Sequence, residues 1–335
     1  MRKTNVDILL PTYNGEKYIR QQLDSILQQS DSGWKLYIRD DGSKDRTVEI
    51  LREYQMKLPE QIFLITDEKG NLGITRNVFE LLLYSTGDYI MFCDQDDVWF
   101  KNKVEKSKNL IQIKEKQKPN IPILVHTEAL IVDENLNPIA GTIEYDQNEE
   151  ISSALLQKYK ASLMNQCGYH KYRTSFANLL LLNSVQGATV IMNKLVKEKL
   201  DVLRNTKIRK NLVHDSIIAS VVSIFGEIYF YKYPLMYYRQ HEKNAVGINR
   251  NNWMNWFSMS EEEKTRIKGS NFLLVNGGKW ELIRSKYGKF LTKRQSDILY
   301  LYMREPNNWV QFFKLGLYKE FSLKEIIIML IFGVR

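Results

Sequence analysis

The residues with the clearest chemical potential are three carboxylates within four positions, Asp94-Gln95-Asp96-Asp97. They directly follow an apolar segment, Tyr89–Cys93, that predicts a buried strand. Carboxylates this close repel one another unless a cation or hydrogen bonds compensate their charge, and a hard divalent ion that bridges phosphate oxygens does so. We therefore interpret the cluster as a metal and phosphate site. The alternative is an acidic turn that caps the following helix.

Other polar motifs follow other predicted strands. Pro11-Thr12-Tyr13-Asn14-Gly15 offers backbone N–H groups and an aromatic face to a base, while Asn14 can also cap the next helix. Asp40-Asp41-Gly42-Ser43 can accept hydrogen bonds from a base imide or a ribose hydroxyl, or it is an ordinary turn. Asn71-Leu72-Gly73 precedes Arg76, whose guanidinium can approach a diphosphate. The alternative is that Arg76 is an ordinary exposed arginine on a helix.

Two motifs later in the chain carry candidate acid–base or metal-binding groups. Asp215 begins an apolar helical segment and can act as a general base or as a helix N-cap. His241, in Tyr238-Arg239-Gln240-His241, can be a third metal ligand, a phosphate donor or a surface residue. The glycine fingerprints of dinucleotide oxidoreductases and of P-loop proteins do not occur in the sequence, so neither class is favoured.

The elements that must position these motifs alternate between strands and helices. Apolar runs predict strands at Val6–Leu10, Lys35–Arg39, Ile62–Ile65 and Tyr89–Cys93, and helical spacing of apolar residues follows each of the first three. This alternation predicts a mostly parallel sheet with helices on both faces. Function is then expected at the carboxyl ends of the strands.

The later part of the chain has a less regular pattern. We predict a polar helix near Lys101–Lys116, short strands at Ile123–His126 and Ala129–Val132, a strand at Val185–Met192, helices at Leu195–Leu203 and His214–Phe225, and a strand at Ile228–Tyr233. The polar stretch 145–174 is interpreted as an active-site flap or insertion. From about Asn249 the pattern is helical and rich in aromatic residues.

Composition and charge narrow the function classes. The chain has 335 residues, of which 44% are hydrophobic and 26% charged, as expected for a globular protein. Its two cysteines, Cys93 and Cys167, are too few for a disulfide framework, which favours a reducing compartment. The net charge of +9 arises in Lys264–Arg335, which holds 14 Lys and Arg against five Asp and Glu. A neutral body with a basic tail is therefore favoured over a nucleic-acid binder.

The tail predicts contact with an anionic membrane surface. Ser322-Leu323-Lys324-Glu325 is a capping box, and the seven apolar residues Ile326–Phe332 that follow are too few to span a bilayer. Aromatic residues among lysines in 309–335 suit a membrane interface, although they can instead pack on the domain or form a homo-oligomer contact. We expect a cytoplasmic protein at the inner face of the cell membrane.

Taken in order, these motifs resemble the family-two glycosyltransferases of the GT-A fold, and in particular their bacterial rhamnosyltransferase-like branch. The resemblance covers about residues 4–247. It implies a GT-A catalytic domain at 1–247, with a nucleotide-binding half at about 1–100 and an acceptor half at about 101–247. A basic, aromatic-rich helical region at 248–335 would follow it.

The resemblance also implies roles for individual residues. Asp94 and Asp96 would form the Asp-x-Asp pair that faces ribose and a Mn²⁺ or Mg²⁺ ion, with His241 as an additional ligand. His214-Asp215 stands where the family normally has a Glu-Asp or similar pair, so Asp215 would be the catalytic base. The residues that would bind the nucleotide sugar are Pro11, Thr12, Tyr13, Asn14, Asp40, Asp41, Arg76, Asp94 and Gln95.

The reaction implied by this resemblance is an inverting, metal-dependent sugar transfer. The Asp-Gln-Asp-Asp-x-Trp form resembles enzymes that use dTDP-L-rhamnose, with a lipid-linked or polysaccharide acceptor in cell-wall or capsule synthesis. One alternative is a nucleotidyltransferase, for which Pro11–Gly15 is a poor phosphate loop. The other is a non-catalytic, membrane-associated assembly subunit. The presence of Asp94, Asp96 and Asp215 argues against it.

Overall fold

A single mixed sheet positions the predicted motifs. The computed structural model describes residues 5–138, 174–181, 185–208, 212–241, 272–304 and 314–316. In these ranges the sheet has eight strands in the order β3-β2-β1-β4-β7-β6-β8-β5. The strands are β1 Val6–Thr12, β2 Trp34–Asp40, β3 Ile62–Ile65, β4 Tyr89–Phe92, β5 Val98–Trp99, β6 Ile123–Val132, β7 Val190–Asn193 and β8 Glu227–Arg239.

The first four strands form a parallel unit. β1 pairs with both β2 and β4, and β2 pairs with β3, all in parallel. The register places Thr12 opposite Asp40 at the ends of β1 and β2. Because the four strands run in one direction, their carboxyl ends lie at one edge of the sheet, which confirms the predicted arrangement.

The second half of the sheet differs from its prediction at β6. Ile123–Val132 is one strand rather than two, because His126, Thr127 and Glu128 interrupt the apolar pattern and are nevertheless buried. Its parallel pairing with β8 shifts register around Glu128, which lies opposite Pro234. Proline has no N–H to donate, so it occupies the irregular position, and β8 continues past the predicted end at Tyr233 to Arg239.

Nine helices lie in the described ranges. They are α1 Ile19–Leu27, α2 Thr47–Lys57, α3 Ile74–Tyr84, α4 Lys103–Gln117, α5 Phe176–Leu181, α6 Lys194–Leu200, α7 His214–Phe225, α8 Phe272–Tyr287 and α9 Lys293–Arg304. Two predicted boundaries are wrong because short 3₁₀ turns replace regular structure. Gly187–Thr189 is such a turn before β7, and Asp201–Leu203 is another after α6.

Two hydrophobic clusters cover the two faces of the sheet. β1 alternates between them, since Leu9 packs in one cluster and Ile8 and Leu10 pack in the other. The cluster that contains Leu9 also contains Trp280 of α8 and Tyr302 of α9. The C-terminal helices that are described therefore share a core with the sheet.

Several predictions fall on parts of the chain that the structure does not describe. The boundary at 247, residues 145–173 of the proposed flap, and all of 309–335 except 314–316 lie outside the described residues. Among the helices that are described, none is both long enough and apolar enough to cross a membrane.

Candidate active site

Gln95 holds the loop that follows β1. Its side-chain oxygen accepts a hydrogen bond from the Tyr13 N–H at 2.9 Å, and its amide nitrogen donates to the Tyr13 carbonyl at 3.0 Å. Gly15 makes this close approach possible, because a Cβ at that position would lie 2.4 Å from the Gln95 oxygen. The Tyr13 side chain is 49% exposed. Gln95 therefore fixes the backbone of a loop whose aromatic ring is free to meet a ligand.

Asp40 and Asn14 join the loops after β1 and β2. The Thr12 hydroxyl donates to Asp40 Oδ1 at 2.9 Å, and the Ser43 N–H donates to Asp40 Oδ2 at 2.8 Å. The Asn14 N–H donates to Ser43 Oγ, while Asn14 Oδ1 accepts from the Lys44 N–H, both at 2.8 Å. Asn14 thus braces the neighbouring loop. The predicted capping role is wrong, since α1 has no side-chain cap.

Arg39, to which the sequence motifs assign no role beyond a strand position, is the centre of a buried ion network. Its side chain is 2% exposed. It donates to both oxygens of Asp67 at 2.8 and 2.9 Å and to Asp41 Oδ1 at 2.9 Å. The guanidinium lowers the pKa of Asp67 to about 2. The signal that points to it is a charged residue at the end of the apolar run Leu36–Ile38, directly before two aspartates.

Asp41 fastens the third loop of the nucleotide half. Its carboxylate accepts hydrogen bonds from the N–H groups of Leu72 and Gly73, each at 2.7 Å. The Asn71 side chain donates to the Asp41 carbonyl at 2.9 Å. Asp41 is 3% exposed, so its carboxylate is largely committed to this loop. Arg76, by contrast, lies exposed in the first turn of α3.

Arg239 braces the acidic turn after β4. Its Nε donates to the Asp96 carbonyl at 2.7 Å, and its backbone N–H donates to Asp97 Oδ1 at 3.0 Å. The guanidinium also lies over the ring of Tyr18, 4.6 Å from its centroid. Asp97 is fully buried, and burial together with its acidic neighbours raises the pKa of its carboxyl group. Asp97 therefore has a structural role in the turn. The Asp96 carboxylate instead contacts His241.

His241 lies against Asp96, as the metal-ligand prediction requires. His241 Nε2 is 2.8 Å from Asp96 Oδ2. Their side chains are 10% and 18% exposed, respectively. Within the described ranges, however, no three His, Cys, Asp or Glu side chains are arranged closely enough to hold a metal ion as they stand. Two of the three predicted ligands are thus in contact.

The electrostatics at Asp94 test whether a cation fits this site. Burial, followed by the negative charges of Asp96 and Asp215, raises the pKa of Asp94 to about 7. The charge of Lys103 opposes this shift, and burial lowers the pKa of the Lys103 amino group to about 8. Carboxylate oxygens with one imidazole suit a hard divalent ion. The donor set therefore fits Mn²⁺ or Mg²⁺, whose charge would relieve the repulsion among the carboxylates.

Asp215 lies in the first turn of α7, where it is 6% exposed. Its carboxylate accepts hydrogen bonds from the Gly187 N–H at 3.1 Å and from the Ser216 N–H at 2.5 Å. Burial raises its pKa. The N-cap position itself belongs to Val213. His214, for which the sequence suggested no role, is buried with its ring edge-on to Phe92, at a centroid distance of 5.5 Å.

Comparisons with known proteins find a matching family and relatives of this chain. Residues 7–117 match the profile of Glycosyl transferase family 2. The chain is a glycosyltransferase that carries a family 2 domain over these residues. It is 28% identical over 247 residues to the dTDP-rhamnosyl transferase RfbG of Shigella flexneri, a match that covers 72% of this chain and 74% of RfbG.

A second relative of this glycosyltransferase is matched over a shorter segment. It is the UDP-Glc:alpha-D-GlcNAc-diphosphoundecaprenol beta-1,3-glucosyltransferase WfgD of Escherichia coli, which is 36% identical over 138 residues. The match covers 41% of this chain and 49% of WfgD.

A solved structure shows the same fold over nearly the whole chain. Residues 1–349 of TarS from Staphylococcus aureus, in complex with UDP-GlcNAc, superpose with a TM-score of 0.53 at 14% sequence identity. The superposition covers 94% of this glycosyltransferase and 91% of the TarS chain. The predicted GT-A fold is confirmed.

Proposed function

We propose that this glycosyltransferase moves L-rhamnose from dTDP-L-rhamnose to a hydroxyl group of a lipid-linked or polysaccharide acceptor, with inversion at the anomeric carbon. The observation that carries the proposal is the acidic turn that follows β4 at the carboxyl edge of the parallel strands, where His241 contacts Asp96 and the charge of Asp215 acts on Asp94. The relation to RfbG over 72% of the chain supports the donor. The diphosphoundecaprenol in the name of WfgD supports a lipid-linked acceptor.

The donor nucleotide is proposed to bind over the loops after β1 and β2. Tyr13, with its exposed ring and its backbone fixed by Gln95, can stack on the base. Pro11, Thr12 and Asn14 belong to this loop, Asp40 holds it to the loop after β2, and Asp41 holds the loop at Leu72 and Gly73. The exposed Arg76 can pair with a phosphate. We propose these side chains as the nucleotide-binding half of the site.

A Mn²⁺ or Mg²⁺ ion is proposed to bind at Asp94, Asp96 and His241, where it would neutralise charge on the departing diphosphate. Arg239 holds the Asp96 backbone in place for this purpose. We expect Asp96→Ala to abolish metal-dependent donor binding, measured by titration calorimetry with and without Mn²⁺. Undiminished metal-dependent binding by the variant would reject Asp96 as a ligand.

Asp215 is proposed to take the proton of the acceptor hydroxyl. As that proton moves to the carboxylate, the acceptor oxygen bonds to the anomeric carbon and the bond from this carbon to the diphosphate oxygen breaks. The nucleoside diphosphate leaves with the electron pair, and one displacement inverts the configuration. Burial raises the pKa of Asp215, which strengthens it as a base.

A donor panel tests the substrate assignment. A ligand that binds only the folded state raises the melting temperature, so dTDP-L-rhamnose with Mn²⁺ is expected to stabilise the chain more than UDP-Glc or UDP-GlcNAc does. Stronger stabilisation by a UDP-sugar would overturn the choice of donor. No stabilisation by any nucleotide sugar would overturn donor binding itself. The anomeric configuration of the product, read by NMR, tests inversion separately.

Peripheral membrane contact through 309–335 is a further part of the proposal, based on the basic and aromatic composition of this segment. Each Lys near an anionic surface contributes about 1 kcal/mol. The full chain is expected to sediment with vesicles that contain phosphatidylglycerol and not with purely zwitterionic ones. A variant with Lys314, Lys319 and Lys324 changed to Glu should bind less. Equal sedimentation of the variant and the parent would reject the proposal.

A further inference from the structure

Lys279 of α8 places a cation inside the protein. The residue is 3% exposed, and its amino group donates to the Leu179 carbonyl at 2.7 Å and to Ser216 Oγ at 2.9 Å. Burial lowers its pKa to about 7, and the charge of Asp215 opposes that change. Burying an ammonium group costs several kcal/mol before its partners are counted. An apolar side chain would fill the space without that cost, so packing alone does not explain a lysine.

A short series of contacts leads from Lys279 to the proposed base. The Lys279 amino group donates to the hydroxyl of Ser216, and the Ser216 N–H donates to Asp215 Oδ1 at 2.5 Å. Lys279 therefore holds the residue that directly follows Asp215 in the first turn of α7. Its positive charge also favours the ionised form of the Asp215 carboxyl group.

We propose that Lys279 is a positioning residue for Asp215, so that helix α8 completes the site that activates the acceptor hydroxyl. This inference rests on the proposed role of Asp215 as the base. Two other titratable groups that influence or are influenced by Asp215 are His214 on α7 and Asp94 after β4. Lys279 on α8 is the lysine among the groups named here that act on Asp215.

The adjacent residue provides a matched control. Trp280 is also buried in α8, and its indole N–H donates to the Leu180 carbonyl at 2.8 Å. Lys279→Met and Trp280→Phe each remove one anchor between α8 and α5, but only the first removes a charge near Asp215. We expect Lys279→Met to lower kcat about 10–100-fold at an unchanged donor Kd, while Trp280→Phe keeps kcat within about threefold of the parent.

The pH dependence of kcat/KM separates positioning from simple packing. Without the ammonium group the pKa of Asp215 rises, so the acid limb should move to higher pH in Lys279→Met. The difference from the parent should be largest below pH 7 and shrink above it, because the parent lysine itself loses its charge there. Trp280→Phe should leave the acid limb in place. Equal losses in both variants, or an unmoved limb in Lys279→Met, would overturn the inference.

Two further variants keep the test decisive. Lys279→Gln keeps a donor without the charge and is expected to show the same shift, including where Lys279→Met does not fold. An unmoved limb in Lys279→Gln would overturn the inference. Asp215→Asn distinguishes the two proposals. If Asp215→Asn turns over normally, the base assignment fails and the inference fails with it. If Asp215→Asn is inactive while Lys279→Gln behaves as the parent, the inference alone fails.

Discussion

At the scale of single residues, Arg39 shows how much of the site depends on groups that never meet a ligand. All five of its N–H donors are used, on Asp67, Asp41, Asn77 and the Gly70 carbonyl. Through Asp41, this network sets the position of the loop at Leu72 and Gly73. Asp41, which is predicted to touch the nucleotide, is thus held by a cation to which no sequence motif gives a role.

Arg39→Met should therefore destabilise the whole fold. It leaves two carboxylates without their buried partner, which costs about 3–5 kcal/mol. Urea unfolding measures the loss. The matched control is Arg46→Met, since the Arg46–Glu49 pair is exposed and its removal should change little. Similar losses in both variants would contradict the importance assigned to burial.

The free energy of unfolding at acid pH should depend on the ion pair between Arg39 and Asp67. The pKa of Asp67 is about 2 in the folded protein and 3.8 ordinarily, so the ion pair contributes its full stability above about pH 4. This contribution is lost as the pH falls from 4 to 2. The unfolding free energy of Arg39→Met should depend less on pH across this window than that of the parent does.

Asp215→Asn is the corresponding test for the chemistry. The amide keeps the size of the side chain but cannot accept a proton, so kcat should fall by about 10²–10⁴ while the donor Kd stays close to that of the parent. Single-turnover kinetics and calorimetry measure the two quantities. Turnover equal to that of the parent would refute Asp215 as the base.

The elements show where sequence patterns suffice and where they do not. β3 and α7 lie where apolar periodicity predicts them. β6 does not, because its buried polar centre has no apolar signal and depends on pairing with β8 far along the chain. Likewise, the contact between Asp96 and His241 agrees with a motif-based prediction, whereas Lys279 approaches Asp215 through packing that no local pattern encodes.

The connection between α7 and β8 offers a sharp test of an element boundary. A Cβ added at Gly226 would lie 1.8 Å from the Pro122 carbonyl oxygen, and the next residue, Glu227, donates to this same carbonyl. Pairing of β6 with β8 begins at Ile123 and Glu227, so the backbone has little room to move. Gly226→Ala should cost about 1–3 kcal/mol or more.

Gly288→Ala is the control for that substitution, because a Cβ there would meet no atom within 4 Å. It should be neutral or stabilise the chain by up to about 1 kcal/mol. Urea denaturation of both variants makes the comparison. Equal stability of Gly226→Ala and the parent would show that the connection can relax.

At the scale of the whole molecule, α8 and α9 share a hydrophobic core with the sheet. Trp280 and Tyr302 pack in the hydrophobic cluster that contains Leu9 and Phe92 of the sheet. Trp280→Ala should therefore cost about 3–5 kcal/mol. Hydrogen exchange should show that α7 and α8 lose protection together. Loss confined to α8 would indicate that the C-terminal helices open as a separate unit.

The strand order has a practical consequence for anyone who wishes to produce only the profile-matched part of this chain. A fragment that ends at Gln117 would lack β7, which pairs with β4 in the intact sheet. The bare edge would be the buried sequence Tyr-Ile-Met-Phe, a surface prone to recruit other copies through strand addition. Such a fragment should accumulate in inclusion bodies. Its insolubility would result from the missing strand that pairs with β4.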